Sequence, residues 1–394
     1  MGSIYAKRLE SLGTETAFKV LAKAKALEKQ GKEVIHLEIG EPDFDTPMNI
    51  KEAAVKALYS GYTHYVPAAG IPELREAIAE YISKTRGIEV DPEEVVVTPG
   101  AKPIIFFTIL ACVNPDEEVL YPNPGFPIYE SVINFVGAKP VPIPLKEEND
   151  FRLDHEYVKS RITKKTKMII LNSPENPTGG VLTREDLKVI ADCIVNRDDV
   201  LVLSDEIYSR IIYEGKHESI ASLPGMKEKT IILDGFSKAY AMTGWRLGYG
   251  VMPKGLAQKI TELIINSHSC TCAFIQMAGV EALKGPQDSV NKMVAEFRKR
   301  REVMVSGLNS IDGITCKKPK GAFYVFPNIK GTGMNSEELS DYLLNEAGVA
   351  VLPGTSFGKY GEGYLRLSFA NSIENIKMAL DKIAEAIMKY KRRA

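Results

Sequence analysis

Lys238 follows the apolar run Ile231-Ile232-Leu233-Asp234-Gly235-Phe236, with Ser237 beside it and Arg246 eight residues on. An amine delivered by a buried strand can form an imine with an aldehyde, while a hydroxyl and a guanidinium can hold an anion next to it. Taken alone, a lysine after a strand reads as a solvated loop residue. Two other strand ends, however, carry complementary groups. The run Val200-Leu201-Val202-Leu203-Ser204 reads as a parallel strand buried on both faces, and it delivers Asp205, then Glu206-Ile207-Tyr208. Met168 to Leu171 reads as another strand, followed by the turn-rich Asn172-Ser173-Pro174-Glu175-Asn176-Pro177-Thr178-Gly179. Ligands of open α/β sheets bind outside the carboxyl ends of strands. These ends would therefore offer Asn176, Asp205, Tyr208 and Lys238 to one crevice.

The elements around them follow from hydrophobic spacing. Phe18, Val20, Leu21, Ala24 and Leu27 recur at helical intervals before Gly31, and Val34 to Ile39 reads as a strand ended by Gly40-Glu41-Pro42-Asp43. Helices are expected at about 49–60 and 71–86, then strands at 95–97, 119–121 and 139–145. Alternation of this kind implies an α/β fold with a mostly parallel sheet flanked by helices. Thr98-Pro99-Gly100-Ala101-Lys102 is a strand-to-helix turn whose amides, at a helix N-terminus, can receive an anion. After about residue 285 the pattern changes to a charged helix (290–311), then 315–327, 336–347, 349–352 and 364–369, which fits a smaller α+β domain. Arg366 lies within that last apolar strand, and a charge there is costly unless paired.

Length and composition set limits. A chain of 394 residues exceeds one typical core, so two domains are expected. Fifty basic residues against fifty-one acidic ones give no electrostatic case for nucleic acid or a membrane surface, and the basic run Lys389 to Arg393 reads as a solvated helix end. No apolar stretch approaches the ~20 residues that span a bilayer, and no apolar signal core begins the chain, so a cytoplasmic location is expected. Five cysteines argue for a reducing compartment rather than a disulfide framework. Cys270 and Cys272 have no second pair or histidine cluster, and the five histidines are scattered, so no metal is expected. Nucleotide-binding glycine loops are absent.

The ordered set Asn176-Pro177-Thr178-Gly179, Asp205-Glu206-Ile207-Tyr208, Ser237-Lys238 with Met242-Thr243-Gly244-Trp245-Arg246, and Arg366-Leu367-Ser368-Phe369 resembles the class I and II aminotransferases of the fold type I pyridoxal-phosphate enzymes. The likeness runs from about residue 34 to 370. It implies a large cofactor domain (46–285) with a seven-stranded type of sheet, and a small discontinuous domain (1–45 and 286–394). The implied cofactor is pyridoxal 5′-phosphate, held as an imine on Lys238. Asp205 would partner its ring nitrogen, and Tyr208 and Asn176 its phenolate oxygen. Phe126 would stack on its ring, while Gly100, Ala101, Lys102, Ser237 and Arg246 would hold its phosphate. Tyr65 would reach the phosphate of a neighbouring subunit, making a homodimer with shared sites.

For the substrate, the resemblance implies that Arg366, assisted by Asn176, clamps the α-carboxylate beside the backbone of Gly40. Lys102 either meets a distal carboxylate or stays solvated. Phe18, Ile39 and the run Ile104-Ile105-Phe106-Phe107 could favour apolar or aromatic donors. The stretch Asn266 to Cys272 lacks the second arginine of dicarboxylate-specific relatives, so a broader enzyme is expected. The expected activity is ping-pong transfer of an amino group between an L-amino acid and a 2-oxo acid, with glutamate and 2-oxoglutarate as one pair. A β-lyase or eliminating synthase of the same fold is the alternative, and a regulator's sensor domain is a third reading from another class.

Overall fold

The computed structural model describes residues 4–13 and 16–392; Arg393 of the basic run lies outside the described residues. Seven strands form the central sheet in the order Val95–Thr98, Gly248–Val251, Thr230–Gly235, Leu201–Asp205, Thr166–Asn172, Glu118–Asn123 and Lys139–Pro144. All neighbours are parallel except Gly248–Val251, which is antiparallel to both of its partners. Val95–Thr98 and the central strands Thr166–Asn172, Leu201–Asp205 and Thr230–Gly235 are rich in Val, Ile and Leu because helices cover both faces. Alternate residues divide between the two faces of the sheet. Val96, Ile170, Leu203 and Ile231 pack on one, while Val97, Leu171, Val202 and Ile232 pack on the opposite face.

The helix Pro72–Arg86 shows how local sequence sets an element. Pro72 opens it at the first turn, where its missing N–H costs nothing, and Gly87 closes it in the left-handed conformation at φ 67°. Its last residue does more than end the helix. The buried Arg86 guanidinium donates from Nε to Glu206 Oε2 at 2.7 Å and from an Nη to Asp234 Oδ2 at 2.8 Å. His217 Nε2 meets the same Glu206 oxygen at 2.8 Å, and the Ser204 and Ser219 hydroxyls donate to the other. Glu206 directly follows Asp205, and Asp234 precedes Lys238 by four residues. The ion cluster thus ties together the two strands that deliver the sequence's principal candidates.

The smaller part is built from the antiparallel sheet Leu352–Pro353, Leu365–Ser368 and Tyr324–Val325, with the helices Asp288–Asn309 and Ile373–Lys391 over it. Ile35–His36 pairs in parallel with Val349–Ala350, bringing the N-terminal segment onto this region. That strand is shorter than the 34–39 run predicts. After Leu37 the carbonyls are taken by side chains, Glu38 O by Arg366 and Gly40 O by Lys238, and not by a neighbouring strand. The expected helix at 336–347 is α-helical over Ser336–Tyr342 and widens to a π turn over Leu343–Ala347, while 315–327 contributes only Tyr324–Val325. Among the described residues, no helix is long and apolar enough to cross a membrane.

Removing one member of a buried ion cluster leaves the other charges uncompensated, which costs about 3–5 kcal/mol. Arg86→Met is therefore expected to lower unfolding free energy by that amount in a urea titration. An unchanged midpoint would show that the cluster does not stabilise the fold.

Candidate active site

A cleft of about 540 Å³ lies where the central strands deliver Asn172, Asp205 and Leu233. Of the residues singled out in the sequence, Gly40, Ala101, Lys102, Phe126, Asn176, Asp205, Tyr208, Ser237, Lys238, Arg246 and Arg366 all line it. Gly100 and Tyr65 are not among its lining residues, and Tyr65 is 88 % exposed.

Asp205 forms the floor. Its Oδ2 accepts from the buried Tyr129 hydroxyl at 2.7 Å, and its Oδ1 from Ile207 N at 3.3 Å. Burial pushes its pKa up to about 6 against those two hydrogen bonds, with the charges of Asp234 and Glu206 adding to the rise. Such a carboxylate is poised to pair with a cationic N–H donor. Tyr208 and Tyr324 share a hydroxyl–hydroxyl hydrogen bond of 2.6 Å, and burial raises the Tyr208 phenol well above the ordinary value. Lys238 Nζ donates to Gly40 O at 2.5 Å and lies 5.9 Å from the centre of the Phe323 ring.

Arg366, in the cleft wall, meets four neighbours. It donates to Asn176 Oδ1 at 3.2 Å and to Glu38 O, and its guanidinium lies over the Tyr324 ring at 4.5 Å and beside Phe357 at 5.0 Å. Asn176 is fixed in turn by its own N–H, which donates to Asn172 Oδ1 at 2.9 Å. A side chain at Gly40 would run into the Tyr324 hydroxyl, so glycine is required there for the close approach of the two segments. At the other end, Gly100 has φ 85°, and a side chain on it would strike the Arg246 guanidinium. Arg246 itself donates to Thr243 O at 2.7 Å. Gly100, Ala101, Ser237 and Arg246 therefore surround a space that suits an anion.

The substrate side of the cleft is mixed in character. Phe18 and Ala17 of the helix Thr16–Lys29 border it with Ile39 and Ile105. Phe18, expected on the apolar face of its helix, is 63 % exposed, whereas Val20 and Ala24 are the buried members. The Lys102 ammonium lies 5.3 Å from the centre of the Phe126 ring. Sequence reasoning missed Tyr129 and Tyr324, both of which hold candidate groups. Tyr129 falls three residues after Phe126, one helical turn on, which was the available signal. Tyr324 carried none, because an aromatic in an apolar run reads as core.

The model of the family "Aminotransferase class I and II" matches residues 32–383. The chain belongs to that family. It is 47% identical to the aspartate aminotransferase of Pyrococcus abyssi over 91% of this chain and 93% of that protein. It is 43% identical to the aromatic-amino-acid aminotransferase 2 of Thermococcus litoralis, with 98% of both chains covered. Among solved structures, the aspartate aminotransferase of Rhizobium meliloti superposes with a TM-score of 0.94 at 37% identity, covering 98% of this chain and 99% of that one. The chain is accordingly a pyridoxal-phosphate-dependent transaminase of the fold type I architecture. The elimination and sensor readings left open by the sequence give way to transamination.

The residues present fit the cofactor. A buried carboxylate faces one end of the cleft, and an anion cradle that an added Cβ would fill forms the other. A folded-state pKa above the ordinary aspartate value means that the buried Asp205 charge costs stability progressively as pH rises through about 6. A ring N–H paired with it offsets that cost. The gain in Tm on adding pyridoxal phosphate to the cofactor-free protein should therefore be larger at pH 7.5 than at pH 5, and this difference should disappear in Asp205→Asn. An equal pH dependence in the variant would contradict the pairing.

Proposed function

We propose that the chain transfers amino groups by a ping-pong reaction in which Lys238 is the covalent anchor and proton carrier, and glutamate with 2-oxoglutarate is one substrate pair. The single observation that carries this reading is the convergence of Lys238, Asp205 and Arg366 on one cleft. Pyridoxal phosphate, when bound, supplies the electron sink for breaking the α-carbon–hydrogen bond. The chain's own residues do the rest. Asp205 would orient the ring through its nitrogen, Tyr208 and Asn176 would donate towards its phenolate oxygen, and Phe126 would stack on its face. The backbone amides of Gly100, Ala101 and Lys102, with Ser237 and Arg246, would fix its phosphate. Arg366, with Asn176 and the backbone at Gly40, orients the substrate carboxylate so that Lys238 can take the proton from the α-carbon and return it.

Lys102 and the apolar walls formed by Phe18, Ile39 and Ile105 support acceptance of both acidic and apolar side chains, with Lys102 meeting the distal carboxylate of the acidic ones. The large domain in this reading is 46–285, and the small one is 1–45 with 286–394, supported by the pairing of Ile35–His36 with Val349–Ala350. The working unit is a homodimer. The helix Met48–Tyr59 exposes Met48, Val55, Leu58 and Tyr59, and the exposed Tyr65 follows close behind, available to the phosphate of a second copy. Five cysteines with no disulfide between them suit the cytoplasm.

Mixing the holoenzyme with L-glutamate and no acceptor should release one equivalent of 2-oxoglutarate per site and no ammonia. Initial-rate plots with acceptor present should give parallel lines. Lys238→Ala should lower kcat by at least about 10²–10⁴, the range of a lost general acid–base group. Continuous ammonia release, or intersecting lines, would contradict the reading.

A further inference from the structure

One titratable cluster outside the cleft is wired into it. His36 stands between two carboxylates, with Nδ1 2.7 Å from Glu38 Oε1 and Nε2 3.0 Å from Glu28 Oε1. The Glu38 side chain is fully buried, while His36 and Glu28 are partly exposed. The second Glu38 oxygen makes no hydrogen bond among the described residues, so His36 is what compensates this carboxylate. The backbone of the same residue supplies the carbonyl that receives the Arg366 guanidinium, and two residues on, Gly40 O receives Lys238. Glu28 belongs to the helix Thr16–Lys29, whose first turn places Ala17 and Phe18 at the cleft. His36 therefore joins the helix that borders the substrate side to the short strap, 38–40, that holds two cationic groups of the site.

We propose that His36 and Glu38 are positioning residues for the substrate carboxylate: protonated His36 anchors Glu38, and so holds the Glu38 carbonyl against Arg366. When that proton is lost, the strap loosens and carboxylate binding weakens. A neutral imidazole carries one N–H and can donate to only one of the two carboxylates. A buried Glu38 without a cation is then costly, and the strap moves to relieve it.

The charged groups facing His36 are Glu38 on its own segment and Glu28 on the helix, with Lys25 paired to Glu28 at 2.8 Å. The partner strand Val349–Ala350 is apolar, and Asn371 donates to His36 O at 3.1 Å. Burial opposes the charge on His36, but the hydrogen bonds and charges of the two glutamates outweigh it and raise its pKa above the usual 6.5. The anchoring is thus complete below about pH 6.5 and is lost as pH rises through the raised value.

The test compares wild-type holoenzyme with His36→Gln from pH 6 to pH 9, using L-aspartate and 2-oxoglutarate. At pH 6 the variant's KM should exceed the wild-type value by about tenfold, the scale of one charge-assisted hydrogen bond. By pH 9 the ratio should approach one, with the ratio of kcat values flat throughout. Taking the ratio cancels titration of the cofactor itself. Calorimetric affinity for maleate, which has carboxylates but no amine to react, should follow the same pattern. A pH-independent ratio in both measurements overturns the proposal. Glu28→Gln, a milder change on a partly exposed helix face, should shift the wild-type rise in KM to lower pH without altering kcat; an unmoved midpoint again overturns it.

The proposal rests on Arg366 as the carboxylate clamp, and Arg366→Gln separates the two claims. Unchanged maleate affinity in that variant removes the clamp and the proposal together. Lost affinity there, with a flat His36→Gln ratio, removes only the coupling.

Discussion

A carboxylate buried at the end of a central strand is the constraint around which this molecule is arranged. Asp205 sits in an apolar sheet where burial works against its charge, so its surroundings must either hold it neutral or supply a cation. The Tyr129 hydroxyl offers only a neutral hydrogen bond. The Arg86 guanidinium is committed to the neighbouring Glu206 and to Asp234. Glu206 is accordingly held ionised, with a pKa lowered to about 2 because His217 and Arg86 outweigh its burial. Adjacent residues thus carry opposite fates. One carboxylate is neutralised within the fold, and the other is left to be answered by what enters the cleft.

The second organising feature is the way the small-domain residues close on the sheet. Tyr324 touches three separate groups: it shares a hydrogen bond with Tyr208, lies under Arg366, and fills the space that a side chain at Gly40 would need. The strap containing Glu38 and Gly40 supplies two carbonyls to two cations. Cofactor-side and substrate-side residues are therefore held by the same short backbone segment. A change in that strap should reach both the lysine and the arginine, which is why a residue outside the cleft such as His36 has a route to the chemistry.

Much of this was legible in the sequence, for identifiable reasons. The central strands are doubly buried and read as apolar runs, and Asp205 at the end of one and Lys238 shortly after another stand out against that background. Arg366 was visible because a guanidinium in an apolar strand needs an explanation. The strap was not legible: the run from Val34 to Ile39 has the composition of a strand, but the Glu38 carbonyl is taken by a side chain from a distant part of the chain. Arg86 reads simply as a basic residue at a helix C-terminus, and its partners lie 120 and 148 residues away. Tyr129 and Tyr324 bond to groups 76 and 116 residues distant. Polar contacts of such sequence separation leave no periodic trace, whereas burial does.

The central claim is that Lys238, and not another lysine of the cleft, carries the cofactor. Borohydride reduction of the holoenzyme followed by mass mapping of its peptides tests this directly, because reduction converts a lysine imine into a stable secondary amine. A phosphopyridoxyl group on the peptide containing Lys238, at one equivalent per chain, is the expected result. The same group found on Lys102, or on no lysine at all, would contradict the account.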